Sequence, residues 1–113
     1  STRIVVSTDT AFDYGSVVLR PAVAEQLLVV AKPYLQSRLT VSGYNDNVGA
    51  AAYNLTLSRE RARSIANALI LQGASAERVT VAGYGDDSPR ASNETEAGRQ
   101  KNRRVELLFE STD

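Results

Sequence analysis

The chain has 113 residues with no cysteine, histidine, methionine or tryptophan, and its 13 basic side chains balance 13 acidic ones to a formal net charge of zero. Without thiolate or imidazole, the ligands of most zinc sites and the usual base of nucleophilic triads are missing, so only oxygen-ligand metals or carboxylate chemistry remain. A neutral chain also argues against nucleic-acid binding, which is usually carried by strongly basic domains.

The length and a hydrophobic content of 42% predict a single globular domain over residues 1–113. No apolar run approaches the roughly 20 residues of a membrane-spanning helix. The chain begins at Ser1 without an initiator methionine, so we expect it to be part of a longer or processed protein. Any membrane attachment is then expected to come from parts of that protein outside this chain.

The first half of the sequence predicts a strand, a helix and a second strand. Residues 4–6 are β-branched and apolar, and a polar, irregular segment follows at residues 8–16. Pro21 suits the first turn of a helix because it lacks only an amide hydrogen that would be unpaired there. The helix is expected to end near Pro33, and its apolar stripe contains Val23, Leu27, Val30, Ala31 and Tyr34. Strict alternation over Arg38–Tyr44 predicts a half-buried strand.

The second half predicts a helix followed by two strands. The helix is expected over residues 54–72, with Asn54 as its N-terminal cap and Gly73 at its C-terminal cap. Its predicted apolar stripe contains Leu55, Ala62, Ile65 and Leu69. Alternation predicts strands at residues 78–84 and 104–109, separated by a long polar loop over residues 85–102. The order β-α-β-α-β-β predicts an α+β fold in which helices pack on a mixed four-stranded sheet.

Two segments of the chain resemble each other at an offset of 40 residues. Residues 38–46 read Arg-Leu-Thr-Val-Ser-Gly-Tyr-Asn-Asp, and residues 78–86 read Arg-Val-Thr-Val-Ala-Gly-Tyr-Gly-Asp. Either two strands obey the same local constraints, or half of the domain has been duplicated. A duplication would require matching helices, and the helices match poorly, which favours the first interpretation.

One pair of charged residues suggests a binding cleft. Asp46 follows the end of a strand, and Arg61 lies about seven residues into the next helix, a rise of roughly 10 Å. Helical side chains tilt toward the N-terminus, so the guanidinium of Arg61 can point toward the loop that carries Asp46. A cleft with one carboxylate and one guanidinium suits an amino-acid-like zwitterion better than a reaction. The alternative is that Arg61 and the neighbouring arginines form a solvated helix face.

Other polar clusters carry weaker signals. Asp46, Asp86 and Asp87 could form a calcium or magnesium cluster, but the spacing of a calcium-binding loop is absent, so no metal and no cofactor are predicted. Residues 99–104 are rich in arginine and are typical of a solvated loop, with phosphate binding as a minor alternative. An enzyme that uses Asp13, Asp46 and Asp86 as acid and base groups lacks a paired-carboxylate spacing, so no catalytic residue is predicted.

Taken together, these segments resemble the OmpA-like (OmpA/MotB) peptidoglycan-binding domain over nearly the whole chain. The central motif of that family is Gly-His-Thr-Asp-x-x-Gly, followed by Tyr-Asn-x-x-Leu-Ser-x-x-Arg-Ala. The corresponding residues here are Gly43-Tyr44-Asn45-Asp46-Asn47-Val48-Gly49 and Tyr53-Asn54-Leu55-Thr56-Leu57-Ser58-Arg59-Glu60-Arg61-Ala62. A later motif corresponds to Gly83-Tyr84-Gly85, Pro89, Gly98-Arg99 and Asn102-Arg103-Arg104-Val105-Glu106.

The resemblance implies a non-catalytic domain with sheet order 1-4-2-3 that binds the diaminopimelate residue of the peptidoglycan stem. Such a domain anchors a cell-envelope protein to the cell wall, in the periplasm and associated with the outer membrane. Asp46 would accept the ammonium of the ligand, Arg61 would clamp its carboxylate, and Arg103 would reach the same pocket. The other implied site residues are Asn54 and Asn102, which would orient these groups, Asn45 beside Asp46, and Phe12 and Asp13 at the rim.

The sequence departs from the family pattern at two places. The usual His-Thr before the acid is Tyr44-Asn45, which is expected to change the rim of the pocket. The usual Phe-Asp-x-Asp-Ser is Phe12-Asp13-Tyr14-Gly15-Ser16, so a side-chain contact at Gly15 is lost. These departures leave an alternative open, in which the fold is a module for protein interaction or homodimerisation with weak or no peptidoglycan binding.

Overall fold

The computed structural model describes residues 1–111. Within them, four strands and four α-helices alternate as β1 (Thr2–Ser7), α1 (Thr8–Ala11), α2 (Pro21–Ala31), β2 (Arg38–Tyr44), α3 (Ala51–Leu71), β3 (Val79–Gly83), α4 (Glu96–Asn102) and β4 (Arg104–Glu110). Single 3₁₀ turns occupy Lys32–Tyr34 and Ala76–Arg78. The predicted order of strands and long helices is confirmed, and α1 and α4 are additions in segments predicted to be irregular.

The strands form one mixed sheet in the order β1-β4-β2-β3, which confirms the α+β class and the order implied by the resemblance. β4 is antiparallel to both β1 and β2, whereas β2 and β3 are parallel and are connected through α3. The segments that follow β1 and β2 therefore meet the segment that precedes β4 at one end of the sheet. No helix in the described part of the chain is long and apolar enough to span a bilayer.

α2 and α3 cover one face of the sheet and form the core with it. The inward side chains of the two central strands, β2 and β4, are at most 2% exposed: Leu39, Val41, Val105, Leu107 and Phe109. The helices contribute Leu27, Ala31, Ala62, Ile65, Ala66 and Leu69 to the same cluster. Full burial of one such large apolar side chain stabilises the fold by about 1.5–3 kcal/mol. The alternation in the sequence thus identified the core face of the strands correctly.

Three details of the predicted helices are wrong. Val30 is 54% exposed and Leu55 is 47% exposed, so neither belongs to the core stripe. α3 begins at Ala51, and Asn54 lies inside its first turn, where its amide N–H donates to the carbonyl oxygen of Ala50. Asn54 is therefore not the N-terminal cap, and its side chain is free to contact the preceding loop.

The predicted loop over residues 85–102 contains α4. Thr95 caps this helix, because its hydroxyl oxygen accepts a hydrogen bond from the amide of Gly98 at 3.0 Å. Asn102, at the end of α4, is fully buried. Its side chain accepts from the amides of Arg90 and Ala91 and donates to the carbonyl oxygen of Ala91 and the side-chain oxygen of Asn93. This amide therefore fixes the irregular part of the connection.

The 40-residue offset between the two similar segments equals the register of β2 against β3, in which Gly43 pairs with Gly83. α3 crosses directly over both glycines. A Cβ atom on Gly43 would lie 1.9 Å from the carbonyl oxygen of Ser58, and one on Gly83 would lie 2.5 Å from the Cβ of Arg59. The repeated glycine therefore lets one helix approach two neighbouring strands closely, which is a shared local constraint of the kind favoured by the sequence.

The opposite face of the sheet carries a row of polar and aromatic side chains. Glu106 accepts hydrogen bonds from Arg3 on one side and from Nε of Arg104 on the other, the latter at 2.7 Å. The guanidinium of Arg104 lies 3.9 Å from the ring centroid of Tyr44, which stacks on Tyr84. Burial, together with Glu106, raises the pKa of Tyr44 above its ordinary value. This row runs from β1 across β4 and β2 to Tyr84, the residue that follows β3.

Candidate functional site

A cleft of about 750 Å³ opens at the end of the sheet where α1, the segment after β2 and the start of β4 meet. Six of the eight residues expected in the site line it: Phe12, Asn45, Asp46, Asn54, Arg61 and Arg103. The N-terminal half of α3 forms one wall, so Asn54 and Arg61 project from the same helix. The topology thus brings together residues that lie up to 91 positions apart in the sequence.

Asp46 is 9% exposed and is held by two hydrogen bonds. Its Oδ2 accepts from Nη1 of Arg103 at 2.7 Å, and its Oδ1 accepts from the amide of Val48 at 3.0 Å. A carboxylate offers about four lone-pair positions. Asp46 therefore has acceptor capacity left for a hydrogen-bond donor in the cleft.

Two asparagines fix the loop that carries Asp46. Nδ2 of Asn54 donates to the carbonyl oxygen of Val48 at 2.7 Å, and Nδ2 of Asn45 donates to the backbone carbonyl of Asn54 at 3.3 Å. The amide of Asn45 also donates to the carbonyl oxygen of Gly85. The loop is thus tied to α3 and to the segment after β3, which holds the Asp46 carboxylate in a defined position.

Arg61 is only 6% exposed and contacts the segment after α1. Its Nε donates to the carbonyl oxygen of Ser16 at 2.9 Å, and its Nη2 donates to the carbonyl oxygen of Asp13 at 3.2 Å. The guanidinium lies 5.2 Å from the ring centroid of Phe12. Burial lowers the pKa of Arg61, although Tyr53 and Asp9 act in the opposite direction.

Arg61 forms no ion pair with any side chain in residues 1–111. A guanidinium has five N–H donors, and backbone carbonyl groups use only two of those of Arg61. A buried positive charge that lacks a counter-ion is costly. The arrangement is therefore suited to an anionic group that enters the cleft.

Arg103 is surrounded by three carboxylates. Its Nε and Nη2 donate to the two oxygens of Asp9, both at 2.9 Å, in a bidentate pair. The same guanidinium contacts Asp46 at 2.7 Å and Glu96 at 2.9 Å. Hydrogen bonding to Asp9, followed by bonds to Glu96 and Asp46, raises the pKa of Arg103 well above its ordinary value despite partial burial.

Glu96 connects this cluster to α4. It lies in the first turn of the helix and pairs with Arg99 at 3.1 Å as well as with Arg103. Hydrogen bonds from Arg103 and then from Arg99 lower the pKa of Glu96. A carboxylate in the first turn also interacts favourably with the helix dipole. The cap at Thr95 and the dipole thus help to hold a negative charge at the edge of the cleft.

Two expected site residues do not line the cleft. The carboxylate of Asp13 is 78% exposed and pairs with Arg20 at 2.6 Å, so only its backbone carbonyl contacts Arg61. The side chain of Asn102 forms its hydrogen bonds with the irregular part of the connection before α4. Tyr44, which was expected to change the rim of the pocket, lies on the opposite face of the sheet. Of the positions that depart from the family pattern, Asn45 and Gly15 line the cleft and Tyr44 does not.

Asp9 and Glu96 also line the cleft, and neither is among the site residues predicted from the sequence. Both lie in short helices within segments predicted to be irregular. Asp9 could be found only from the strand pairing. Ser7 pairs with Arg104 across β1 and β4, so the residue two positions after β1 lies within reach of Arg103. For Glu96, the available signal was Thr95, because threonine often caps a helix and an acidic residue often follows it in the first turn.

The expected alternatives to a zwitterion site receive no geometric support. Asp86 and Asp87 are exposed and border a separate shallow depression with Leu55 and Tyr84. Within residues 1–111, no group of three or more histidine, cysteine, aspartate or glutamate side chains could hold a metal ion. The carboxylates that do converge surround Arg103. What the cleft offers is a carboxylate with spare acceptors and a buried guanidinium with spare donors.

Comparison with known proteins places this geometry in a family. The profile described as the OmpA family matches residues 11–103. A probable lipoprotein YiaD of Escherichia coli is 43% identical over 104 residues, which cover 89% of this chain and 48% of that protein. The peptidoglycan-binding protein ArfA of Mycobacterium tuberculosis is 40% identical over 101 residues, covering 87% of this chain and 31% of ArfA. The chain thus spans about half or less of these relatives.

A solved structure agrees with the sequence matches. The cell wall anchor of the T6SS from Pseudomonas aeruginosa superimposes with a TM-score of 0.83 at 27% identity, covering 96% of this chain and 81% of that one. The chain belongs to the OmpA family.

Proposed function

We propose that this domain binds peptidoglycan through the diaminopimelate residue of its peptide stem and so anchors the protein that carries it to the cell wall. The observation that carries the proposal is the pairing, in one cleft, of Asp46 with spare acceptors and Arg61 with spare donors and no counter-ion. The names of ArfA and of the T6SS cell wall anchor support the same assignment.

The chemistry of diaminopimelate matches both halves of the cleft. The side chain of this residue ends in an ammonium and a carboxylate on one carbon, which is the zwitterion that the sequence predicted as ligand. Asp46 would accept the ammonium, while the remaining N–H groups of Arg61 would bind the carboxylate in charge-assisted hydrogen bonds. Both residues are less than one-tenth exposed, so water competes weakly for their charged groups.

The other cleft residues would act by holding these two groups. Asn54 and Asn45 fix the loop of Asp46, and the ring of Phe12 packs beside the guanidinium of Arg61. Asp13 would contribute through its backbone carbonyl only. Asn102 would act at a distance, by fixing the residues before α4.

The domain is proposed to act without catalysis, in the periplasm of the cell envelope. The acid and base groups considered from the sequence are not assembled, because Asp13 and Asp86 are exposed and only Asp46 lines the cleft. Association with the outer membrane rests on the family resemblance. It would be supplied by parts of the protein outside residues 1–113.

The proposal is tested by titrating the domain with a soluble muropeptide that contains a diaminopimelate stem, using calorimetry. Asp46→Ala and Arg61→Ala should each weaken binding, because truncating one partner of a buried charge pair costs about 2–5 kcal/mol, or roughly 30-fold or more in Kd. Arg63→Ala is the matched control, since Arg63 is exposed on the same helix. Wild-type binding that neither cleft substitution changes would refute the proposal.

The alternative function, a module for protein interaction or homodimerisation, was motivated by Tyr44, Asn45 and Gly15. The position of Tyr44 removes part of that motivation, because it packs against Arg104 and Tyr84 and leaves the cleft unaltered. A sedimentation assay with purified sacculi separates the two functions. A domain that stays in the supernatant at every concentration and self-associates in ultracentrifugation would support the alternative.

A further inference from the structure

The two arginines of the cleft differ in how their donors are used. All five N–H groups of Arg103 have a carboxylate oxygen within hydrogen-bond distance: two contacts go to Asp9, two to Glu96 and one to Asp46, at 2.7 to 3.4 Å. Arg61, in contrast, uses only two donors, both with backbone carbonyls. Arg103 therefore has no N–H group left for a ligand carboxylate.

We propose that Arg103 is a positioning residue that fixes the Asp46 carboxylate for the ligand ammonium, and that Asp9 and Glu96 hold Arg103 in that orientation. The inference deepens the proposed function and rests on it. It changes the role of Arg103, which the family resemblance placed as a further group reaching the ligand. In this assignment Arg61 alone binds the ligand carboxylate.

The balance of charges around Arg103 supports these different roles of Arg103 and Arg61. Asp9, Asp46 and Glu96 carry three negative charges, and the two guanidinium groups that pair with them, Arg103 and Arg99, carry two positive charges. One negative charge is left over on this side of the cleft. Arg61 supplies an unpaired positive charge on the other side. An ammonium bound at Asp46 and a carboxylate bound at Arg61 would neutralise both sides together.

The two carboxylates that hold Arg103 differ in how exposed their side chains are. The side chain of Asp9 is 39% exposed and binds Arg103 through both oxygens, whereas that of Glu96 is 66% exposed and also pairs with Arg99. Interactions of more exposed charges are screened more strongly by water and salt. Asp9 should therefore contribute more than Glu96 to the orientation of Arg103.

The test uses two stem peptides that differ in one group: one contains diaminopimelate, and the other contains lysine, which keeps the ammonium and lacks the carboxylate. Arg103→Lys preserves the charge but loses the planar fork. It should weaken binding of both peptides by the same factor, about tenfold, because only the ammonium half is disturbed. Arg61→Gln, as the contrasting variant, should weaken only the diaminopimelate peptide. An Arg103→Lys protein that loses the preference for diaminopimelate would overturn the proposal.

Asp9→Asn provides a second test between a ligand-binding role and a positioning role of Arg103. Asn keeps one acceptor oxygen, so the substitution removes one of the two hydrogen bonds to Arg103 and the negative charge of Asp9. If Arg103 were a ligand clamp, the freed N–H group would leave binding equal or tighter. The positioning role predicts weaker binding of both peptides, with a smaller loss for Glu96→Gln. Equal or tighter binding by Asp9→Asn would contradict the inference.

A ligand-free measurement separates this inference from the proposed function. The amide of Val48 donates to Oδ1 of Asp46, so its hydrogen exchange reports whether that carboxylate stays in place. Exchange at Val48 should accelerate about tenfold in Arg103→Lys and stay unchanged in Arg63→Gln. If wild-type protein binds neither peptide, the proposed function fails, and an unchanged Val48 exchange rate would then also reject the positioning role of Arg103.

Discussion

Gly43→Ala offers the sharpest test of how α3 is seated on the sheet. The added Cβ would lie 1.9 Å from the carbonyl oxygen and 2.7 Å from the carbonyl carbon of Ser58, both of them backbone atoms. Contacts shorter than 3.0 Å essentially do not occur for Cβ atoms, so the helix must retreat by at least about 1 Å. No side-chain rotation can relieve this overlap.

The expected cost follows from the same geometry. Overpacking of a core costs about 1–3 kcal/mol when side chains can adjust, and here the backbone of a 21-residue helix must move. We therefore expect a loss of about 3 kcal/mol or more, which lowers Tm by roughly 10–20 °C for a domain of this size. Urea and thermal denaturation measure both quantities.

Gly73→Ala is the matched control. Gly73 has a φ of +120° but no atom within 4 Å of its added Cβ, so this substitution carries only backbone strain, about 1–3 kcal/mol. Gly43→Ala should thus be the more destabilising of the two. A Gly43→Ala protein that unfolds within about 0.5 kcal/mol of wild type would refute the close approach of α3 to β2.

Two further predictions concern the polar interactions of the sheet and of the α4 connection. Although burial opposes it, hydrogen bonds from Arg104 and Arg3 lower the pKa of Glu106, so its contribution is present above the ordinary glutamate pKa and is lost as pH falls through the lowered value. Glu106→Gln should cost about 1–3 kcal/mol at pH 7, and the difference from wild type in urea denaturation should shrink toward pH 3; a constant difference would contradict the assignment. Asn102→Ala leaves the buried amides of Arg90 and Ala91 without their acceptor, so it should cost about 2–4 kcal/mol and accelerate hydrogen exchange at both amides, whereas slow exchange in a stable variant would show that the connection is fixed by other contacts.

The sequence predicted the elements whose pattern is long enough to be read locally. The bounds of β2 matched because seven residues alternate strictly, and the core face of β4 followed from Val105, Leu107 and Phe109. The placement of Asp46 and Arg61 in one cleft followed from helix geometry. Their roles as ligand groups stay a prediction.

Local patterns failed where neighbouring elements decide the outcome. Leu55 has the correct spacing for the core stripe of α3, but its backbone lies next to Gly85, two residues after the end of β3, and its side chain is half exposed. α1 and α4, with four and seven residues, are too short for periodicity to detect. Since Asp9 and Glu96 lie in these two helices, the environment of Arg103 could not be predicted without the strand pairing.

The antiparallel pairing of β1 with β4 also determines how the domain would carry a mechanical load. Thr2 pairs with Phe109 at one end of the sheet, while Ser7 pairs with Arg104 at the end where the cleft opens. Tension between Thr2 and a ligand held in the cleft runs along β1, so the ladder, about 20 Å long, is loaded in shear and its hydrogen bonds must fail together. Tension between Thr2 and Glu110 would instead peel the same ladder one bond at a time. Under the proposed function, the position of the cleft would direct a pulling force along β1, where the ladder resists best.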